Sequence, residues 1–500
     1  MKRIVLLLIV LLAAMSISAV SADENITDVI SDDIQQSDEA DQLQENISTE
    51  SNRTASKIES SNVNGYESFR TTISFKLTSD NMPLASKKVS VLVNKATYVR
   101  TTDKNGQASI SLNLKAGTYT VKFTYDGDNQ TGSAEATSRI VVKNPIKTSL
   151  KLGDKYIYYR QGSKCLFYVT LLNANGKAIK NQIVNFKVSG KTYKVKTDKN
   201  GHAKIFLNLK KGKHVVRYSF YKNSPYLYST GKHTIKVHSK MAKGNGYWLW
   251  PMHMKSVNLK SLAQRGTKHI FLHAQSVSTY GRSSVVSFIA RAHSYGIRVH
   301  LWMQVCCVGE NWVSPVNDDG SFKYGFINGK INQAKRYARI PGVDGIHFDY
   351  IRFGGTAHNH KNAVKCINYF AKKASTQIHK IKPDCIVSAA IMPEPSMMTY
   401  YYGQDIPTMS KYMDALLPMV YKGNYHQTRS WITSVTKTFV GQSNGAQIWT
   451  GLQSYHSDNN VRSLSQSELI KDSRAAMKGG AKGIILFRIG ISCNFNFKKV

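Results

Sequence analysis

The hydrophobic period of this chain changes once, close to residue 240, and that change restricts it to a composite architecture. Upstream, apolar and polar residues alternate over short runs, as in Thr118-Tyr-Thr-Val-Lys-Phe-Thr-Tyr125 and His214-Val-Val-Arg-Tyr-Ser-Phe-Tyr221. That is the two-residue period of half-buried strands. Downstream, short apolar runs alternate with helical stretches, the pattern of βα units around a parallel sheet. Lys240 to Asn245 reads as the linker between the two regimes.

The upstream half repeats itself. Thr102-Asp-Lys-Asn-Gly106 recurs as Thr197-Asp-Lys-Asn-Gly201, and Leu112-Asn-Leu-Lys115 recurs as Leu207-Asn-Leu-Lys210, both at an offset of 95 residues. One β-sandwich per repeat fits that period. The expectation is one module over 66–144 and a second over 145–238, with Asn105-Gly106 and Asn200-Gly201 as turns between strands. The two modules resemble the immunoglobulin-like domains of bacterial surface proteins and of the adhesin-like proteins of methanogenic archaea. Neither clusters catalytic groups, so a spacer or wall-binding role is expected.

From 244 to 500, eight apolar runs are candidate strands: Tyr247 to Trp250, His269 to His273, Arg298 to Val305, Gly345 to Asp349, Cys385 to Ile391, Ala415 to Val420, Gln447 to Gly451 and Gly483 to Phe487. Helical stretches between them include Ser283 to Tyr295, His360 to Lys380 and Gln466 to Lys478, the last opened by the capping box Ser465-Gln-Ser-Glu468. Eight strands in about 250 residues is the size of a (β/α)8 TIM barrel. The expected fold class is therefore two all-β immunoglobulin-like sandwiches followed by an α/β barrel.

Residues 1–22 have a short basic start, an apolar core and small residues before Asp23, which reads as a secretory signal peptide. Residues 23–62 read as a disordered acidic leader, poor in large apolar groups. Residues 23 to 60 hold 11 of the chain's 31 acidic residues, which leaves 64 basic against 20 acidic residues from 61 onward. A body this basic attracts polyanions over long range. Cell-wall or other acidic polysaccharide is the expected partner, with no nucleic acid and no transmembrane segment in the mature chain. The expected location is secreted, extracellular or wall-associated. The six cysteines form no disulfide framework, with Cys306-Cys307 adjacent and the others scattered, and read mostly as buried thiols.

Within the barrel half, Pro341-Gly-Val-Asp-Gly-Ile-His-Phe-Asp-Tyr-Ile-Arg-Phe-Gly-Gly355 reads as a buried strand ending on a carboxylate. Barrel active sites are built at that end of the strands, which makes Asp349 the first candidate for chemistry. Capping of the next helix, or pairing with Arg352, is the structural alternative. Asp344-Gly-Ile-His-Phe-Asp-Tyr-Ile-Arg-Phe353 resembles the strand-four signature of a family of glycoside-hydrolase barrels. Leu417-Pro-Met-Val-Tyr421 and Gly479-Gly-Ala-Lys-Gly-Ile-Ile-Leu-Phe487 resemble its strands six and eight, so the likeness spans roughly 244 to 490. Chitinases share the Asp-Gly opening, but His347 and Ile351 stand where they carry acids.

Glycoside hydrolysis needs two carboxyl groups flanking the bond. Glu310, Asp349, Glu394 and Asp458 fall near the catalytic rim, with Asp405 an outlier. By analogy with barrel glycosidases that use strands four and five, Asp349 is expected as nucleophile or base and Glu394 as acid. Trp250, His273, Gln304, His347, Tyr350, Arg352, Tyr421, Trp449, Gln453 and Arg488 are the expected substrate-binding residues at strand ends. The two arginines could grip an acidic sugar, and Trp302, Trp312, Tyr425 and Tyr455 could add aromatic floor. No metal and no cofactor is expected, because no acidic or thiol group completes a ligand set around His358 and His360. The expected function is a secreted hydrolase of an anionic or wall polysaccharide. A non-catalytic adhesin with a degenerate barrel is one alternative, and a peptidase using Cys306 or Cys307 is another.

Overall fold

The computed structural model describes residues 53–154, 159–163, 165–492 and 494–500. The expected signal peptide and most of the expected leader lie outside them, as does Cys493. The chain divides into two compact units between Lys143 and Asn144. No helix of the described residues is long and apolar enough to cross a membrane.

The first unit packs two sheets face to face, antiparallel except where Val63–Tyr66 runs parallel to Ala134–Lys143. One joins Ser56–Ser60, Thr71–Ser79, Met82–Pro83 and Gln107–Leu112; the other runs through Val63–Tyr66, Ala134–Lys143, Gly117–Tyr125, Lys88–Val93 and Ala96–Thr101. Alternate residues such as Ile73, Phe75 and Leu77 point into the shared core, as the strand period requires. Ser56–Ser60 falls in the stretch expected to be a disordered leader. It is instead ordered by pairing with Thr71–Ser79, with Ile58 buried, so the module begins earlier than residue 66.

The second unit opens with a module of the same plan. Thr148–Leu152, Cys165–Asn173 and His202–Leu207 form one sheet, facing a five-stranded sheet that ends at Ser229–His238. The repeated Asp-Lys-Asn-Gly turns are physically equivalent. Asp103 Oδ1 accepts the amides of Asn105 and Gln107 at 2.8 and 2.9 Å, and Asp198 Oδ1 those of Asn200 and His202, both at 2.9 Å. Gly106 and Gly201 have φ of +71° and +72°, and a side chain there would meet the carbonyls of Leu77 and Leu171 at 2.4 and 2.8 Å. The first of these turns is not a hairpin: Ala96–Thr101 and Gln107–Leu112 belong to opposite sheets, so it carries the chain across the sandwich.

A closed, all-parallel barrel follows, its eight strands in sequence order: Gly246–Leu249, His269–His273, Arg298–Gln304, Gly345–Asp349, Ile386–Ile391, Ala415–Val420, Gln447–Gln453 and Gly483–Phe487. Alternation divides each strand between two cores. Ile270, Leu272, Leu301, Ile346 and Phe348 pack outward against the helices. Trp248, Phe271, Trp302, Leu417, Trp449 and Ile485 fill the interior. The interior is thus a stack of side chains, and the last inward residue of each strand opens at its carboxyl end.

The segment expected to be a linker is part of that stack. Met241 is buried with the interior group, and Gly244 passes so close to Trp449 that a Cβ would sit 2.1 Å from its ring. The second module is bound to the same end of the barrel. Arg160 Nε meets Asp414 Oδ1 at 2.6 Å, and its Nη2 donates to the carbonyls of Asp384 and Cys385. Asp154 accepts a hydrogen bond from Tyr412 and pairs with Lys372 at 3.1 Å. The second module is thus docked on the barrel.

Candidate active site

The carboxyl end of the barrel holds a cavity of about 210 Å3 over Asp349. Trp250, Gln304, Asp349, Tyr350, Arg352 and Tyr421 line it, six of the residues expected from the sequence. Trp248, Trp302, Met419, Asn424, Tyr455, Asp458 and Phe487 complete the wall. Gln304 and Asp349 are register partners on strands three and four, which is why they open side by side.

Asp349 is buried, and both of its oxygens are held. Trp302 Nε1 donates to Oδ2 at 3.0 Å, and the Tyr350 amide donates to Oδ1 at 2.7 Å. Tyr350 sits in the left-handed region, φ +52°, which turns the chain sharply off the strand end. Burial raises the Asp349 pKa, opposed by the Tyr350 amide, the Arg352 charge and the Trp302 indole. The net direction is upward, so this carboxyl retains its proton to a higher pH than an ordinary aspartate.

Asp458 is the second acid of this cavity. It is exposed, and three hydrogen bonds to two neighbours fix it: Tyr455 Oη donates to Oδ1 at 2.7 Å, Asn424 Nδ2 donates to Oδ2 at 2.7 Å, and its own amide donates to Asn424 Oδ1 at 2.9 Å. Gln453 Nε2 in turn donates to Asn424 Oδ1 at 2.8 Å. Gly423 allows this lock, because a Cβ there would collide with the His456 carbonyl at 1.6 Å. Tyr421 lies within electrostatic reach of both acids. Burial first, then the negative charges of Asp349 and, more weakly, Asp458 push its phenol pKa well up, so it keeps its proton.

Glu394 does not line this cavity. It is half-buried and accepts a hydrogen bond from Tyr402. The Tyr402 ring lies 5.7 Å from the Arg352 guanidinium, which also faces Trp312 at 4.8 Å and Tyr350 at 5.1 Å. Arg352 therefore stands between the Glu394 neighbourhood and the Asp349 cavity. Its Nη1 donates to the Phe353 carbonyl, and its buried Nε has no partner among the described residues.

Five expected binding residues sit elsewhere. His347 is one inward layer below Asp349, accepting from Trp248 Nε1 at 3.2 Å and bonded to Ser388 at 3.0 Å. Trp449 lies deeper, against His269, because strand seven continues to Gln453 instead of ending at Gly451. Gln453 acts on Asn424 and through it on Asp458. Arg488 lies 5.7 Å from the Trp250 ring, outside the lining of the cavity. His273 lies in a second cavity that shares Trp250, Trp302 and Gln304 with the first. The described thiols are poorly suited as nucleophiles: burial pushes Cys306 up to about 12 and also raises Cys307, and all five described cysteines are unpaired and buried.

Residues 300–440 match the family described as "Putative glycosyl hydrolase domain". The match takes in Asp349 and Glu394 and ends before Asp458. The matched span lies within the barrel, from its third strand to the helix after its sixth. Among solved structures, the fold is similar to a class V chitinase from Pseudomonas fluorescens Pf-5, at 12% identity and a TM-score of 0.40, covering 52% of this chain and 98% of that one. An endo-1,4-beta-D-mannanase from Thermotoga petrophila RKU-1 aligns at 11% identity and 0.38, over 49% and 88%. Fibronectin(III)-like modules of Clostridium thermocellum CbhA align at 16% identity and 0.25, over 36% and 94%. No curated protein matches the sequence.

Proposed function

We propose that the barrel hydrolyses glycosidic bonds of an anionic polysaccharide at the Asp349 cavity, with Asp349 as proton donor and Asp458 as nucleophile or base. The observation that carries this reading is that Asp349 and Asp458 line one aromatic-walled cavity together with Tyr421. The raised pKa of Asp349 suits an acid that must protonate a leaving oxygen, and this reverses the role expected for it. Asp458, open to water and fixed by Tyr455 and Asn424, takes the complementary part. Glu394, held by Tyr402 outside the cavity, remains the competing second acid.

Trp250, Tyr350 and Tyr421 supply flat faces for a sugar ring, and Gln304 a hydrogen-bonding edge. Arg352, with its unsatisfied Nε, is the group for a carboxylate or other anionic substituent. The net charge of +37 supports an acidic, wall-type glycan and a secreted, wall-associated enzyme, its immunoglobulin-like modules contributing to retention. Incubating the purified chain with isolated wall polysaccharides and assaying new reducing ends tests the reading. New ends that vanish in Asp349→Asn support it. Binding without cleavage would instead make the protein a carbohydrate-binding adhesin.

A further inference from the structure

The second cavity, about 510 Å3, adjoins the Asp349 cavity through Trp250, Trp302 and Gln304 and is otherwise lined by residues of strands two and three and the helices that follow them. Its inner wall holds an unusual group. His273 is buried, stacked on Trp250 at 4.8 Å and 29° and edge-on to Trp302 at 4.8 Å and 86°. Both of its ring nitrogens, and the indole nitrogen of Trp250, are buried without a hydrogen-bond partner among the described residues. Such an orphan is costly unless a ligand satisfies it.

We infer that this second cavity is a subsite for a neutral, hydroxyl-bearing sugar ring, placed next to the bond that Asp349 attacks. His273, held neutral by burial with a pKa near 4, offers one donor and one acceptor, which matches vicinal hydroxyls and not a carboxylate. Gln275, Gln304 and Gln333 add uncharged polar groups at the wall. Lys330 is the cation there, and its ammonium already donates to the Gln304 carbonyl at 3.1 Å. Arg352 lines the Asp349 cavity and not this one. The cleft is therefore asymmetric, and its substrate carries a neutral residue on the His273 side and an anionic residue on the Arg352 side. The sugar class extends the hydrolase reading, whereas binding in this cavity stands apart from it.

The test uses the full chain carrying Asp349→Asn, titrated with cellobiose, mannobiose, xylobiose and diacetylchitobiose while tryptophan fluorescence and the His273 imidazole NMR signals are followed. Saturable binding of at least one disaccharide, with His273 signals shifted, is expected. Affinity should fall about tenfold in His273→Phe, which keeps the ring and removes both nitrogens, the loss of one or two hydrogen bonds. Ser278→Trp, an exposed helix position on the cavity wall, should block the site without touching the core. No binding by any of the four, or binding indifferent to both substitutions, overturns the subsite. Disaccharide binding without cleavage of any wall glycan by the unsubstituted chain would overturn the hydrolase and leave the subsite standing.

Discussion

Arg160 of the second sandwich and Asp414 at the foot of barrel strand six, 254 residues apart, are joined at 2.6 Å with their side chains 5% and 4% exposed. Asp414 also accepts from the Val387 amide at 2.8 Å and lies 3.2 Å from His379 Nε2. Arg160→Met would leave this acid in place while removing its strongest cation. Breaking one side of a buried pair costs about 3–5 kcal/mol, so the free energy of unfolding in urea should fall by that amount and the midpoint should move to lower denaturant. An unchanged midpoint would mean that the module does not brace the barrel.

The same pair sets a pH dependence. Burial would raise the Asp414 pKa, but the charges of Arg160 and His379 and their hydrogen bonds hold it well below its ordinary 3.8. A carboxyl depressed in the folded state stabilises fully above its unfolded value, and that contribution is lost as pH falls through the folded one. Stability measured from pH 6 downward should therefore decline below about pH 4, and Asp414→Asn should flatten the decline. An identical slope in the variant would assign acid sensitivity to other carboxylates.

The barrel was legible because its strands are short buried runs, and a carboxylate at the end of Gly345–Asp349 needs only the two-residue alternation to face inward. The same alternation explains the misses. His347 is two residues earlier and so one layer deeper, and Trp449 is lower still because nothing in Gln447 to Gly451 announces that strand seven runs on to Gln453. Asp458 was visible as a rim acid but not as the partner of Asp349. Its position depends on Asn424 and on the approach of Gly423 to His456, contacts between two loops. The Arg160 bridge lay beyond sequence reasoning, since neither residue has a local pattern that names the other.

Asp349 acting as proton donor fixes the alkaline limb of the rate profile. Asp349→Asn should lower kcat by about 10²–10⁴ while disaccharide binding persists. Trp302→Phe removes a hydrogen bond that lowers the Asp349 pKa, so the alkaline limb of kcat/KM should move to higher pH. A limb that stays in place, or moves down, would show that another group supplies the proton.

Thiol chemistry makes the opposite forecast. With Cys306 pushed up to about 12 and Cys307 also raised by burial, neither carries appreciable thiolate at neutral pH. Cys307→Ser should keep glycan cleavage, and iodoacetamide should not inactivate the chain. Loss of activity in either experiment would reopen the peptidase alternative.

The choice between Asp458 and Glu394 decides which loops carry the reaction. Asp458 shares the Asp349 cavity and Tyr421, whereas Glu394 reaches that region only through Tyr402 and Arg352. Asp458→Asn should therefore cost about 10²–10⁴ in kcat, while Glu394→Gln, which can still accept from Tyr402, should stay within about tenfold of the parent. Azide added to an Asp458→Ala variant, which empties the carboxylate's place, offers a direct chemical readout. If Asp458 is the nucleophile or base, a small anion occupying its place restores turnover and yields a glycosyl azide. Rescue confined to a Glu394→Ala variant would move the second carboxyl role to the loop after strand five, and Asn424 and Tyr455 would then be holding a structural acid.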